Sequence, residues 1–511
     1  MNSDKKEFVL PAKSIMQKEE KRGSILVESS GEFVLPDYMP KVQKVLRIEA
    51  RALPPTYYIG VADAQMSGNV LHTIVYLGED GEISATVLPS KYEFSVPLSK
   101  SETAPNLTAA VEVESVNHRL GGPRKINIRT RLTAQPIVFF TEDITPEKLT
   151  DDDSVHKLYC ELDCKKTAVI RTNDIGISDS IETSPVEDAK LLWCGSTSAV
   201  SDIRVMDGGV SVRGDVMAKV LLDEGGIPKM YTKKIPFDEF VDGDIDKGAS
   251  AIATAKVVST EASREESGEV LVEISIMIET IVDTPCRIST VKDAFSVVGE
   301  GKTEYRNVRA EKHIVSRSGV FNVGGSLPKS VVGAEDVLSV ADTSGEAVID
   351  DVITAKDRIT ANGRCLLNSI FVTENGAVSA DYSVPFSITL NCENVENAEV
   401  MCIASLFHAK TRVDGESLIC DMDIALSMRA FAVVEENVLS EADYSTVKNF
   451  SKSAYPVCLI YPNGESLWSL AKKYHVSPTA LAKVNSLEIE EKDYTSPQAL
   501  ESSSVLMLEL K

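Results

Sequence analysis

The sequence predicts a mainly β protein, with three tandem β-sandwich-like repeats followed by a small α+β domain ordered strand, helix, helix, strand. Two observations carry this. A glycine-led element of two strands and a turn recurs with Gly68, Gly214 and Gly363 at its head, 146 and 149 residues apart. Near residue 435 the apolar period then changes from two residues to the helical spacing.

The offsets are far too long for a solenoid and suit tandem domains of about 145 residues. Other landmarks keep the same order. Val45-Leu46, Leu191-Leu192 and Val337-Leu338 lie upstream of each glycine, and Pro36, Pro185 and Pro328 lie before those. Alternating strands follow at 125–132, 269–276 and 417–424, behind turns at Gly121-Gly122, Gly268 and Gly415. The expected boundaries are 1–152, 153–296 and 297–434 for the repeats, 435–456 for a polar linker and 457–511 for the terminal domain.

At two, four, six and eight residues past the glycine the first copy has Val70, His72, Ile74 and Tyr76. The second has Val216, Ala218, Val220 and Leu222, and the third Cys365, Leu367, Ser369 and Phe371. Period-two spacing puts these on one face of a strand. The opposite face is also apolar (Leu71 and Val75, Met217 and Leu221, Leu366 and Ile370), with a polar middle position at Thr73, Lys219 and Asn368. A strand apolar on both faces reads as central in a sandwich. Glu79-Asp80-Gly81, Glu374-Asn375-Gly376 and Val413-Asp414-Gly415 are hairpin turns.

Composition limits the function. With 43% hydrophobic and 25% charged residues the chain is globular, and its formal charge of -24 disfavours nucleic acid and anionic lipid as partners. Residues 1–6 lead into no apolar signal core, and no apolar run is long enough for membrane insertion. Without an export signal the nine cysteines are expected as reduced thiols. Cys160 and Cys164, the closest pair, lack a second pair or a histidine cluster, so no metal is expected. No cofactor is expected either. Ser296–Thr303 ends in Gly-Lys-Thr, but Ser296 replaces the first glycine of a phosphate loop and a strand follows in place of a helix. The six histidines include no ligand spacing, and His72 is replaced by Ala218 and Leu367, which suits a satisfied core histidine. No catalytic residue is identified, and the chain is expected not to be an enzyme.

In the terminal segment, Val457–Tyr461 is a strand and Pro462-Asn463-Gly464 a turn. Ser466 caps a helix to Tyr474 with Leu467, Leu470, Ala471 and Tyr474 on one face. Ser477-Pro478 starts a second helix that ends near Asn485, and 505–510 closes as a strand. The run Gly464-Glu-Ser-Leu-Trp468-Ser-Leu-Ala-Lys-Lys-Tyr474-His-Val476-Ser-Pro-Thr-Ala-Leu481, then Asn485, closely resembles the LysM domain. The stretch 499–504 departs from that family's turn before its last strand. The resemblance implies a shallow groove between 463–468 and 485–489, with Gly464, Ser466, Leu467, Trp468, Asn485 and Ser486 as partner-binding residues. Two roles are open to Trp468: packing beneath the first helix, or anchoring a partner in the groove. Five lysines against seven acidic residues leave the segment without a cationic face.

Val45-Leu46-Arg-Ile-Glu-Ala, the strand ending Tyr76-Leu-Gly-Glu-Asp-Gly81-Glu-Ile, the Val384-Pro385-Phe386 element and the terminal motif together resemble the SPOCS-repeat, LysM-ending spore coat morphogenetic proteins of clostridia (SipL type). That resemblance implies a sporulation scaffold in the mother-cell cytoplasm at the forespore surface. It would bridge the coat basement-layer ATPase, stage IV sporulation protein A, and other coat proteins through protein–protein interaction. The alternative is a cell-wall protein binding peptidoglycan or N-acetylglucosamine chains.

Overall fold

The computed structural model describes residues 13–81, 83–184, 189–224, 228–246, 248–265, 268–333, 337–373, 376–449, 457–490, 493–500 and 505–509. It is mainly β, with two α-helices among the described residues, both near the C-terminus. Eight strands come first: β1 (Ile15–Lys21), β2 (Ile25–Val34), β3 (Val42–Ala52), β4 (Thr56–Ile59), β5 (Asp63–Gly78), β6 (Ile83–Pro97), β7 (Thr103–Gly122) and β8 (Lys125–Asp143). Next come β9 (Val155–Ile181), β10 (Lys190–Met206), β11 (Gly209–Asp223), β12 (Pro228–Asp242), β13 (Ser250–Arg264) and β14 (Val270–Ser296). A third set follows: β15 (Gly299–Pro328), β16 (Val337–Ala355), β17 (Arg358–Thr373), β18 (Gly376–Asn391), β19 (Glu399–Asp414) and β20 (Ser417–Asn449). The terminal module holds β21 (Val457–Ile460), α1 (Leu467–Tyr474), α2 (Pro478–Val484) and β22 (Leu506–Glu509).

One topology is used three times. The middle strands form an antiparallel meander, β3-β5-β6, β10-β11-β12 and β16-β17-β18. The last strand of each set (β8, β14, β20) pairs with the strand before it and with the opening strand. That opening strand is continuous in β9 and β15 and divided into β1 and β2 in the first set. The two sheets share a core: Val216, Val220 and Phe237 pack with Val272 and Ile276, and Leu367, Val384 and Phe386 with Cys420 and Ile424.

The leading glycines have a steric reason. Each lies on the central meander strand opposite an aromatic residue: Gly68 faces Tyr92, Gly214 Phe237 and Gly363 Phe386. A Cβ at any of the three would clash with that ring, and at Gly214 and Gly363 with the Ala199 and Val348 carbonyls as well.

All twelve inward positions after the glycines are buried. His72 is 1% exposed, with Nδ1 3.1 Å from the Leu88 carbonyl and Nε2 2.7 Å from Thr130 Oγ1. Burial lowers its pKa. Thr130 is the third inward residue of the closing strand, where the other sets have Ile274 and Met422. Where histidine gives way to Ala218 or Leu367, the hydroxyl is gone as well, so no buried donor is left unpaired.

The second apolar face of the meander is where the sets pack on one another. Leu46 and Val75 meet Ile370. Arg47 from the first set reaches Asp342 of the third at 2.8 Å, and Lys219 of the second reaches Asp342 at 3.0 Å. Burial pushes the Asp342 carboxyl up, but the two cations outweigh it and hold it low. Arg47, Trp193 and Asp342 occupy one topological position, opposite Val75, Leu221 and Ile370 on the central strands. A second buried cluster also draws on all three sets. Arg429, fully buried, bonds Glu19 at 2.6 Å and Asp283 at 3.0 Å, and Lys165 bonds Glu19 and lies 4.1 Å above the Phe431 ring.

A linker from residue 435 is not what forms. β20 continues to Asn449, paired with the start of β15, and buries Val438, Leu439 and Ala442. Ser440 is skipped in the pairing, between Glu304/Glu441 and Tyr305/Leu439. Such a bulge breaks strict alternation, which is why the segment lacks a strand pattern in the sequence. Residues 450–456, Pro185 and the turn residues Glu374 and Asn375 lie outside the described residues. Ser296–Thr303 runs from the end of β14 into β15, without a helix.

Candidate functional site

The terminal module is built from local signals. Asn463 and Gly464 both have positive φ (47° and 79°), turning the chain from β21 toward α1. Asparagine and glycine are the residues that tolerate this conformation. Ser466 Oγ accepts from the Ser469 N–H at 3.2 Å, capping α1. Ser477 caps α2, with Pro478 at its first position. Leu467, Leu470 and Ala471 are fully buried with Leu481, Leu500 and Leu506, and β21 pairs antiparallel with β22.

The six residues expected to bind a partner divide on burial. Gly464 and Ser486 are exposed. Ser466 is buried and occupied as a helix cap. Leu467 is a core residue and cannot meet a partner in this state. Asn485 is committed internally: its amide donates to the Leu481 and Met507 carbonyls, both at 2.8 Å, and its oxygen accepts from the Met507 N–H at 2.6 Å. It pins the end of α2 to β22.

Trp468 is a correction to the groove-anchor reading. It is 5% exposed and packs edge-on against Phe295 at a centroid distance of 5.0 Å. Its indole N–H donates to Asp293 Oδ2 at 2.8 Å. Lys472 bonds both oxygens of Asp293 at 2.7 and 2.8 Å, and the Tyr305 hydroxyl donates to Oδ1 at 2.6 Å. His475 Nδ1 lies 2.9 Å from the Ser296 carbonyl. Burial raises the Asp293 carboxyl, while the bonds from Lys472, Tyr305 and Trp468 outweigh it and hold the pKa low. Trp468 therefore seats the module on the end of β14. No local signal in the sequence reveals this, because Asp293 and Phe295 lie more than 170 residues away.

Sequence reasoning also missed an open face. Val457, Leu459 and Tyr461 are 47%, 67% and 65% exposed, and Val505 and Met507 are 37% and 42% exposed. Leu459 and Met507 are directly paired, so Val457, Leu459 and Met507 form an apolar strip on one side of the two-stranded sheet, uncovered by the described residues. Both strands are apolar at consecutive positions, so the sequence does not mark which side is left bare.

Among the described residues no group of three or more His, Cys, Asp or Glu could hold a metal ion, and no helix is long and apolar enough to cross a membrane. No curated protein and no solved structure matches the chain. The family model of the LysM domain matches residues 463–491, from the turn after β21 to just beyond α2. The chain thus carries a LysM domain, a binding module of a kind that suggests peptidoglycan or another glycan as ligand.

Proposed function

We propose that the chain is a non-enzymatic scaffold of spore coat assembly, whose LysM domain holds a protein partner and whose repeats hold further coat proteins. The partner proposed is the coat basement-layer ATPase, stage IV sporulation protein A, by resemblance of the whole layout to the SPOCS-repeat, LysM-ending proteins. The observation that favours protein over glycan is the bare apolar strip of Val457, Leu459 and Met507. Contiguous exposed apolar patches mark protein interaction sites, and their energy concentrates in a few anchors. Glycan binding is the second reading, favoured by the LysM match.

One paired experiment tests both. The full chain is assayed against the purified ATPase and against purified peptidoglycan, with Leu459→Glu and Ser486→Arg beside the parent. Both substitutions fall on exposed side chains, so the fold is retained. Loss of ATPase binding in Leu459→Glu is the expected result. Retention on peptidoglycan with no affinity for the ATPase would establish the glycan reading. A deletion control must end after Asn449, because ending at Val434 would cut β20.

A further inference from the structure

The second set of strands contains a thiol pair that its role as a scaffold does not use. β9 and β14 run antiparallel with Cys164 directly opposite Cys286. Opposed residues in such a ladder have Cα atoms about 4.5–5.5 Å apart, inside the roughly 4.4–6.8 Å range that a disulfide spans. The two sulfurs are 3.0 Å apart and both thiols are free. Cys164 is buried at 3% exposure, whereas Cys286 is half-buried and the more exposed of the two. The pair borders the apolar junction where Met16 and Ile144 of the first set meet Val308, Ala310 and Val438 of the third.

We propose that Cys164 and Cys286 are a modification site, a dithiol that closes reversibly to a cross-strand disulfide by exchange with a low-molecular-weight disulfide. Cys286 is the entry sulfur because it is the more exposed one, and its hydrogen bond with Cys164 lowers its pKa. A thiolate is the attacking species. Cys286 attacks one sulfur of the reagent, the reagent's S–S bond breaks, and one thiol leaves. Cys164 then gives up its proton and attacks the Cys286 sulfur, expelling the second thiol. Two protein S–H bonds are lost and one S–S bond forms. The reagent takes two electrons and two protons and leaves as two thiols.

The closed bond would tie the opening and closing strands of the second set across 122 residues of chain. It would lie on β14, seven residues before Asp293, the residue that seats the LysM domain.

The test uses the full chain with glutathione disulfide as the probe, followed by thiol counting after denaturation and non-reducing tryptic mapping. Free thiols should fall from nine to seven and return to nine with reductant. The new product should join the peptides 158–165 and 265–287. Because 158–165 carries both Cys160 and Cys164, the Cys160→Ser variant decides between them. It should still form the link, whereas Cys286→Ser should not. Nine thiols remaining in the treated parent chain would overturn the proposal. So would a link lost in Cys160→Ser, or a stable glutathione adduct on Cys286 with Cys164 still free.

Discussion

The repeat body and the LysM domain bury charge in opposite styles. In the body, Arg429, Lys165, Glu19 and Asp283 form a network to which all three sets contribute, and Arg47, Lys219 and Asp342 form another. The LysM domain is small, shares its apolar core with Phe295 of β14, and meets the body around one carboxylate, Asp293. The body is therefore assembled by interactions that no set can satisfy alone. The LysM domain is seated by a local contact with one carboxylate and one aromatic ring of β14.

The largest effect is expected from Arg429→Ala. It takes from Glu19 and Asp283 one of the two cations they share, leaving Lys165 beside them, and breaking a buried pair costs about 3–5 kcal/mol. Calorimetry should show the whole body melting earlier as one transition. Loss confined to the third set would break the claim that the sets are interdependent. Leu470→Ala should cost about 2–5 kcal/mol, which a domain this small cannot absorb. In the full chain it should melt the LysM domain alone, and an unchanged melting profile would refute the assignment of the α1 core face.

Gly363→Ala comes next. The added Cβ meets the Phe386 ring and the Val348 carbonyl, and overpacking of this kind costs about 1–3 kcal/mol. The third set should lose stability with the LysM seat intact, as read by hydrogen exchange.

The smallest effect on global stability is expected from Asp293→Asn, which should unseat the domain without melting either part. Trp468 reports on it, because the chain has two tryptophans and Trp193→Phe leaves one. Emission should shift to the red on unseating. The folded pKa of Asp293 lies below its unfolded value, so its contribution is complete above the ordinary aspartate range near pH ~4. It is lost as pH falls through the lower folded value. The same red shift should appear on acidification of the parent and be absent when the Asp293→Asn variant is acidified. Acid-insensitive emission in the parent would show that the carboxylate does not hold the domain.

Much of the fold was legible because its determinants are local. Alternation marked the inward faces of the central strands, and capping serines with Pro478 marked both helices. What escaped was non-local. The Ser440 bulge hid the last third of β20, Trp468 finds its partners on β14, and Asn485 is bound by the backbone of β22. The second face of the meander was read correctly as apolar, but its purpose, packing of set on set, depends on tertiary placement. Of the six nominated binding residues, Gly464 and Ser486 remain accessible, because a sequence motif marks the framework of a small domain more strongly than its contact surface.

The single topological position filled by Arg47, Trp193 and Asp342 has a consequence for inheritance. If the sets arose by duplication, their ancestor could have assembled as three identical chains. The present copies differ: three copies of the first set, or of the third, would set three arginines or three aspartates against one another. They are now distinct subunits carried on one polypeptide, and the tether fixes both their order and their one-to-one-to-one ratio. Recombination that made the first and third copies alike again would place like charges at that junction.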